Sequence, residues 1–256
     1  MTAQVQQFLC LTDNYGVLIH DSASGATASI DAPEAGPIFA ALAARNWNLT
    51  DVLITHHHAD HVQGVPELKA KFPDSVVWGP AKDKGRIPFL ERFVSEGDCV
   101  RVGSLEAKVI ETPGHTLGHV AYYFEEDEIA FCGDTLFSLG CGRVFETPYA
   151  VLWNSLVKLA ALPGETQLYC GHEYTEANAR FAATIEPNNP ILQARIEEVT
   201  RLRAKRLPTL PTTLAAELAA NPFVRVEEPA VQAAVGMTGS DPAAVFAEIR
   251  ARKDRF

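Results

Sequence analysis

The chain has 256 residues, 47% of them hydrophobic, which is enough for a sizeable core built as one large domain or two smaller ones. Its formal net charge of -10 argues against a general nucleic-acid or anionic-membrane binder, because both need broad excesses of Lys and Arg. Any anionic ligand must therefore meet a local basic patch. The first twenty residues carry no export signal and no later apolar run approaches membrane-spanning length, so a soluble, cytoplasmic protein is expected. The five cysteines, Cys10, Cys99, Cys132, Cys141 and Cys170, are scattered, odd in number and without a CxxC pair, and read as reduced thiols.

Up to about Tyr174, β-rich apolar runs alternate with turns: "VLIH", "ASIDAP", "DVLIT", "SVVWG", "KVIETPG", "VAYYF", "EIAFCGD" and "QLYCGH". Between them the spacing of apolar residues predicts helices over 35–47, 66–72 and 149–162. Past this point the texture changes to Ala, Leu, Glu and Arg, with a Pro-punctuated connector, "RLPTLPTTL". There Asp241 and Pro242 read as an N-cap and first helical residue. The expectation is an α+β protein with a sheet-containing domain over 1–174 and a smaller, all-helical domain over 175–256.

The chemistry is concentrated in "DVLITHHHADHVQG". Four histidines and an aspartate fall within residues 56–61 directly behind an apolar strand. Packing does not call for a polar cluster there, whereas imidazole and carboxylate at a strand end suit zinc and its neighbours. His56 and His58 project to one side of an extended backbone, and Asp60 with His61 can turn back across the opening. His57 is given no ligand role. Three more apolar runs end in Gly followed by an ionisable residue, and each delivers one further candidate: His115, Asp134 and His172. Seven donors exceed one four-coordinate ion but fit two if Asp134 is shared.

The motifs "THHHADH", "TPGHTLGH", "GDTLF" and "CGHEY" resemble those of the metallo-β-lactamase superfamily. "LTDNYGVLI", "GCGR", "NPFVR" and the terminal "RARKDRF" are similar to the hydroxyacylglutathione hydrolases, also called glyoxalase II, over nearly the whole chain. The resemblance implies an αββα sandwich followed by a helical, glutathione-binding domain. It assigns His56, His58 and His115 to a first divalent metal and Asp60, His61 and His172 to a second, with Asp134 bridging. Zinc is the expected metal, with iron or manganese as the other options. Arg143, Tyr174, Arg250 and Lys253 match substrate-binding positions, and Phe145 stands where a tyrosine is expected in animal relatives. His119 is read as structural, and Cys132 and Cys170 as buried thiols outside the ligand set.

Two ions roughly 3.5–4 Å apart lower the pKa of a shared water towards neutrality. The implied reaction is attack of that hydroxide on S-D-lactoylglutathione or a related S-2-hydroxyacylglutathione, giving D-lactate and glutathione in the second step of methylglyoxal degradation. Asp60 and Asp134 are the catalytic carboxylates of that reading. A thiol leaving group, with a pKa of about 8.5, needs little help from an acid. The competing expectation is a glutathione-persulfide dioxygenase with one iron, and the basic helical terminus counts against it. A monomer is expected.

Overall fold

The computed structural model describes residues 3–256. Two compact units divide the chain: Met1–Glu111 with Gly118–Gly133, and Thr112–Leu117 with Asp134–Phe256. The units interleave in sequence, whereas the expected domains meet near residue 175.

The first unit contains β1 (Ala3–Cys10), β2 (Asn14–Asp21), β3 (Thr27–Ile30), α1 (Ala35–Arg45), β4 (Asp51–Leu53), α2 (Ala59–Val62), α3 (Val65–Lys71), β5 (Val76–Pro80) and β6 (Arg92–Val94). It then continues through β7 (Cys99–Val102), β8 (Leu105–Glu111), β9 (Val120–Phe124) and β10 (Ile129–Gly133). Strands β1 to β6 lie side by side in sequence order. The first three are antiparallel, and β3 to β6 run parallel. A parallel step needs a crossover, and α1 supplies the one between β3 and β4. Ile38 and Leu42, one turn apart on α1, and Val65 and Leu68 on α3 bury their faces against Leu18, Val52, Ile54 and Val77 of the sheet. Helix α1 ends at Asn46, whose left-handed φ of 55° suits a short polar side chain.

Strands β7 to β10 form an antiparallel meander. Every residue of β4 and of β9 is buried, as expected of strands covered on both faces. The Tyr122 hydroxyl of β9 donates to the carbonyl of Ile54 at 2.8 Å, tying the meander to the first sheet just before the histidine cluster begins.

In the second unit come β11 (Leu136–Phe137), β12 (Gly140–Cys141), α4 (Tyr149–Ala160), β13 (Gln167–Cys170), α5 (Thr175–Ile185), α6 (Pro190–Ala204), β14 (Thr212–Thr213), α7 (Leu214–Ala220), α8 (Pro229–Val235) and α9 (Pro242–Arg255). Asp241 caps α9 as its sequence predicts, accepting from the amides of Ala243 at 2.9 Å and Ala244 at 3.2 Å. Asn189 caps α6 in the same way, again with Pro at the first position. Helix α9 buries Val245, Phe246 and Ile249, with Phe246 between Trp153 of α4 and Phe223. Among the described residues the departure from an all-helical C-terminal segment is β14, which pairs with β13 through Gln167 and Leu168.

Ile38 is fully buried, so Ile38→Ala removes its transfer free energy and leaves a cavity. A loss of about 2–5 kcal/mol is expected, read as a lower urea midpoint at an unchanged slope.

Candidate active site

Strand β4 delivers its chain directly into the histidine cluster, and one buried carboxylate organises the loop behind it. Asp31, immediately after β3, has a left-handed φ of 56° that turns its side chain back towards the end of β4. Its Oδ1 accepts from the Thr55 amide at 2.7 Å. Its Oδ2 accepts from the Thr55 hydroxyl at 2.8 Å and lies 2.7 Å from Nδ1 of His61.

These contacts fix tautomers. The Thr55 hydroxyl gives its proton to Asp31 and lies 3.0 Å from Nδ1 of His56, so that nitrogen must be the donor and Nε2 keeps its lone pair. His61 likewise donates from Nδ1 to Asp31 and presents Nε2. His58 Nδ1 approaches His56 Nε2 to 3.1 Å, a nitrogen pair that a cation would hold without repulsion. Asp60 is oriented by Asn14, whose amide donates to Oδ2 at 3.0 Å and to the Asp60 carbonyl at 3.1 Å.

His57 points elsewhere, with Nδ1 3.1 Å from the buried Asp83. His119 is fully buried and stacks on His56 at 4.9 Å, a supporting ring as its sequence context implied. Gly133, with φ of 47°, ends β10 where a Cβ would lie 2.7 Å from both His119 Nε2 and Thr55 Oγ1. Only glycine fits there.

The second unit holds the other three candidates together. Nε2 of His115 and Nε2 of His172 lie 3.4 Å and 3.3 Å from the same oxygen, Oδ2 of Asp134. His115 donates from Nδ1 to the Arg143 carbonyl at 2.8 Å, so it too presents Nε2 as a lone pair. Two electron-rich atoms facing at this distance fit a shared cation. The seven sequence candidates supply imidazole nitrogen and carboxylate oxygen in each unit, His56, His58, Asp60 and His61 in the first and His115, Asp134 and His172 in the second. The donor set suits a divalent metal bound through nitrogen and oxygen. Cys170 donates its thiol to the His172 carbonyl at 3.4 Å, consistent with a place outside the ligand set.

Beside His115 and Asp134 the same unit opens a cavity of about 310 Å³. Arg143, Tyr174, Arg250 and Lys253 all line it, with Phe137, Cys141 and Phe145. Tyr174 stacks on His172 at 4.6 Å with the rings nearly parallel. Phe145 is exposed and sets its ring 5.3 Å from that of His115. Arg250 and Lys253 share a face of α9, as their spacing predicts, but Arg250 is only 4% exposed. Its guanidinium donates to the Cys141 carbonyl at 3.0 Å and to Asp254 at 3.0 Å. Arg143 Nε lies 3.5 Å from Asp254, and Tyr149 donates to Asp254 at 3.0 Å. Arg252, by contrast, turns away to Glu248 and the end of α8.

Burial and then the charges of Arg250, Arg180 and Arg143 pull the Lys253 ammonium down to about 8. Burial pushes the Cys141 thiol up to about 11 in spite of Arg250. Asp31, Asn14 and Asp254 carry structural roles that the motifs did not assign. Asp31 had one signal, an acidic residue directly after an apolar run, the same placement as Asp134.

Paired imidazoles and carboxylates on strand-end loops of an α+β scaffold define a hydrolase of the metallo-β-lactamase class. A family model described as "Metallo-beta-lactamase superfamily" matches residues 11–172, and one described as "Hydroxyacylglutathione hydrolase C-terminus" matches residues 173–256. Proteins named hydroxyacylglutathione hydrolase from Rhodopseudomonas palustris (strain BisA53) and Nitrobacter winogradskyi are 58% and 56% identical to it, each covering 100% of both chains. Among solved structures, ETHE1 from Myxococcus xanthus superposes with a TM-score of 0.67 at 27% identity, over 98% of each chain. The chain belongs to the hydroxyacylglutathione hydrolase family of thioester hydrolases. No helix among the described residues is long and apolar enough to cross a membrane.

Asp31→Asn keeps the side chain's size but replaces an acceptor of Thr55 and His61 with a donor. Metal affinity is expected to fall about 10–100-fold, measured by titration against a chelator of known affinity.

Proposed function

We propose that the protein hydrolyses S-D-lactoylglutathione and other S-2-hydroxyacylglutathiones to the hydroxy acid and glutathione. The observation that carries this reading is the cavity beside His115 and Asp134, lined by Arg143, Arg250 and Lys253 with one carboxylate, Asp254, meeting the two arginines, in a chain of net charge -10. Glutathione brings two carboxylates and a thioester on one flexible chain, and this wall offers cations for the former next to donors for the latter.

In this reading His56, His58 and His115 hold one divalent ion, Asp60, His61 and His172 hold a second, and Asp134 is shared. Zinc is the favoured metal on the nitrogen and oxygen donor set. Two such ions, when bound, supply Lewis-acid polarisation and a water ionised near neutral pH. The protein's own contribution is orientation. Asp31 and Thr55 hold His56 and His61 in the tautomers that present Nε2, and Asn14 sets Asp60. Arg143, Arg250 and Lys253 grip the carboxylates while Tyr174 flanks the entry. The departing thiolate, conjugate base of a group with a pKa of about 8.5, leaves without a dedicated acid.

The test is anaerobic turnover of S-D-lactoylglutathione by the purified protein, followed as loss of thioester absorbance, with metal content measured on the same sample. Rapid hydrolysis with about two metals per chain is expected, and Asp134→Ala should lose both metal and nearly all turnover. No hydrolysis, one iron per chain and oxygen uptake with glutathione persulfide would replace this reading with that of a dioxygenase.

Lys253 gives a pH test. Its ammonium is the binding form and its pKa lies at about 8, so the charge is present below pH 8 and lost above it. KM should climb as pH passes 8, with about a tenth of the charge left at pH 9. Lys253→Arg should flatten that rise, because arginine stays protonated throughout.

A further inference from the structure

The cavity wall formed by β11 and β12 is a hairpin whose tip carries an unusual load of backbone strain and buried polarity. Leu136 pairs with Cys141 and Phe137 with Gly140, leaving Ser138 and Leu139 as the turn. Leu139 has φ of 57°, a left-handed conformation uncommon for a bulky residue, and is only 1% exposed. Its side chain packs with Ala179, Ala182, Leu192 and Ala220. Four backbone groups at this tip are therefore sealed from water and need partners.

All four find them on side chains of the helical segments. The Leu139 amide donates to Glu217 Oε2 at 2.7 Å. The Asn221 amide nitrogen donates to the carbonyls of Phe137 at 3.1 Å and Gly140 at 3.0 Å, spanning the base of the turn, and it also meets Glu217 Oε2 at 3.1 Å. Asn178 donates to the Ser138 carbonyl at 3.1 Å. Glu217 Oε1 accepts from the Thr212 hydroxyl at 2.9 Å. Glu217 is 1% exposed and Asn221 fully buried, and neither lines the cavity.

What the hairpin presents does line it. Phe137 sets its ring 5.4 Å from Tyr174 and 6.1 Å from His172, and the Cys141 carbonyl receives the Arg250 guanidinium. The strand returns at Gly142, whose amide bonds the Thr135 carbonyl and where the Asp134 carbonyl leaves no room for a Cβ. A slip at the tip would thus displace an aromatic wall and the anchor of a buried cation together.

We propose that Glu217 and Asn221 are positioning residues for substrate binding, clamping the 136–141 hairpin so that Phe137 and the Cys141 carbonyl hold Tyr174 and Arg250 in place. This rests on the thioesterase reading of the cavity. The clamp works through hydrogen bonds and not through charge. A glutamine at 217 can keep its oxygen on Leu139 and Asn221 and turn its amide towards the Thr212 hydroxyl, which accepts as readily as it donates. Leucine at 217 leaves the Leu139 amide without an acceptor.

Two readouts on the metal-loaded full chain test this: steady-state hydrolysis of S-D-lactoylglutathione, and hydrogen exchange in peptides spanning 136–142. Glu217→Leu and Asn221→Ser should each raise KM about tenfold while kcat per metal-loaded site stays within about threefold, since the contacts they disturb are remote from the thioester carbonyl. Glu217→Gln should stay within about twofold of the parent in KM, as expected when the hydrogen bonds survive. Ile38→Ala, a comparable loss of stability in the other unit, should leave KM unchanged. Faster exchange at 136–142 should accompany Glu217→Leu and not Glu217→Gln. Asn221→Ser serves alone if Glu217→Leu does not fold. An unchanged KM in the variants that fold, Glu217→Gln as impaired as Glu217→Leu, or exchange unaffected by either overturns the clamp. A parent protein without turnover overturns the thioesterase reading instead, and the exchange comparison still decides whether the tip is held by these residues.

Discussion

A single buried carboxylate orders the histidine-bearing loop. Asp31 takes three donors from two residues, the amide and hydroxyl of Thr55 and the ring of His61, and each of those bonds has a consequence further along. The hydroxyl, its proton committed, can only accept from His56, and the ring of His61 can only turn its other nitrogen outward. An isolated buried carboxylate is costly, and this one is offset by donors that would themselves be unsatisfied without it. The left-handed backbone at Asp31 is part of the same arrangement, because strain of this kind persists only where the surroundings over-determine it.

Around the cavity of the second unit the governing constraint is the reverse: several cations, one of them buried, with few anions to balance them. Asp254 meets both Arg143 and Arg250 and takes the Tyr149 hydroxyl, so the end of α9 is drawn into the cavity wall. Arg250 is buried because its fork is answered by a carbonyl and a carboxylate. Lys253 meets the Ala177 carbonyl and the faces of Phe181 and Phe256, but burial, and then the charges of Arg250, Arg180 and Arg143, lower its affinity for a proton. The wall thus keeps a local surplus of cations in a chain that is acidic as a whole.

Much of this was legible in the residues. The histidine and aspartate candidates stand behind apolar runs, and strand ends are where such runs deliver them. The cap of α9, helix α1 and the helices from α3 to α7 also follow from local spacing. Strand β1 was not legible because its residues are mostly half-buried and polar, and β6 and β7 are short with exposed positions. Asp31, Asn14, Glu217 and Asn221 escaped for a different reason. Each acts through a hydrogen bond to a residue distant in the chain, such as Asp31 with Thr55 or Glu217 with Leu139, and local periodicity carries no trace of such a pair. Within its own sequence Glu217 is an ordinary helical glutamate.

The thiol of Cys141 lies in the wall of a cavity that is read as receiving a thioester and releasing a thiol. A cysteine there invites trouble, since a thiolate could take the acyl group for itself or trade sulfurs with oxidised product. Burial answers this: with its pKa at about 11, only about one Cys141 side chain in ten thousand is ionised at neutral pH. Arg250, which also donates to the Cys141 sulfur at 3.7 Å, favours the thiolate, and burial outweighs it. In the thioesterase reading proposed above, such a wall is chemically silent towards the substrate's thioester.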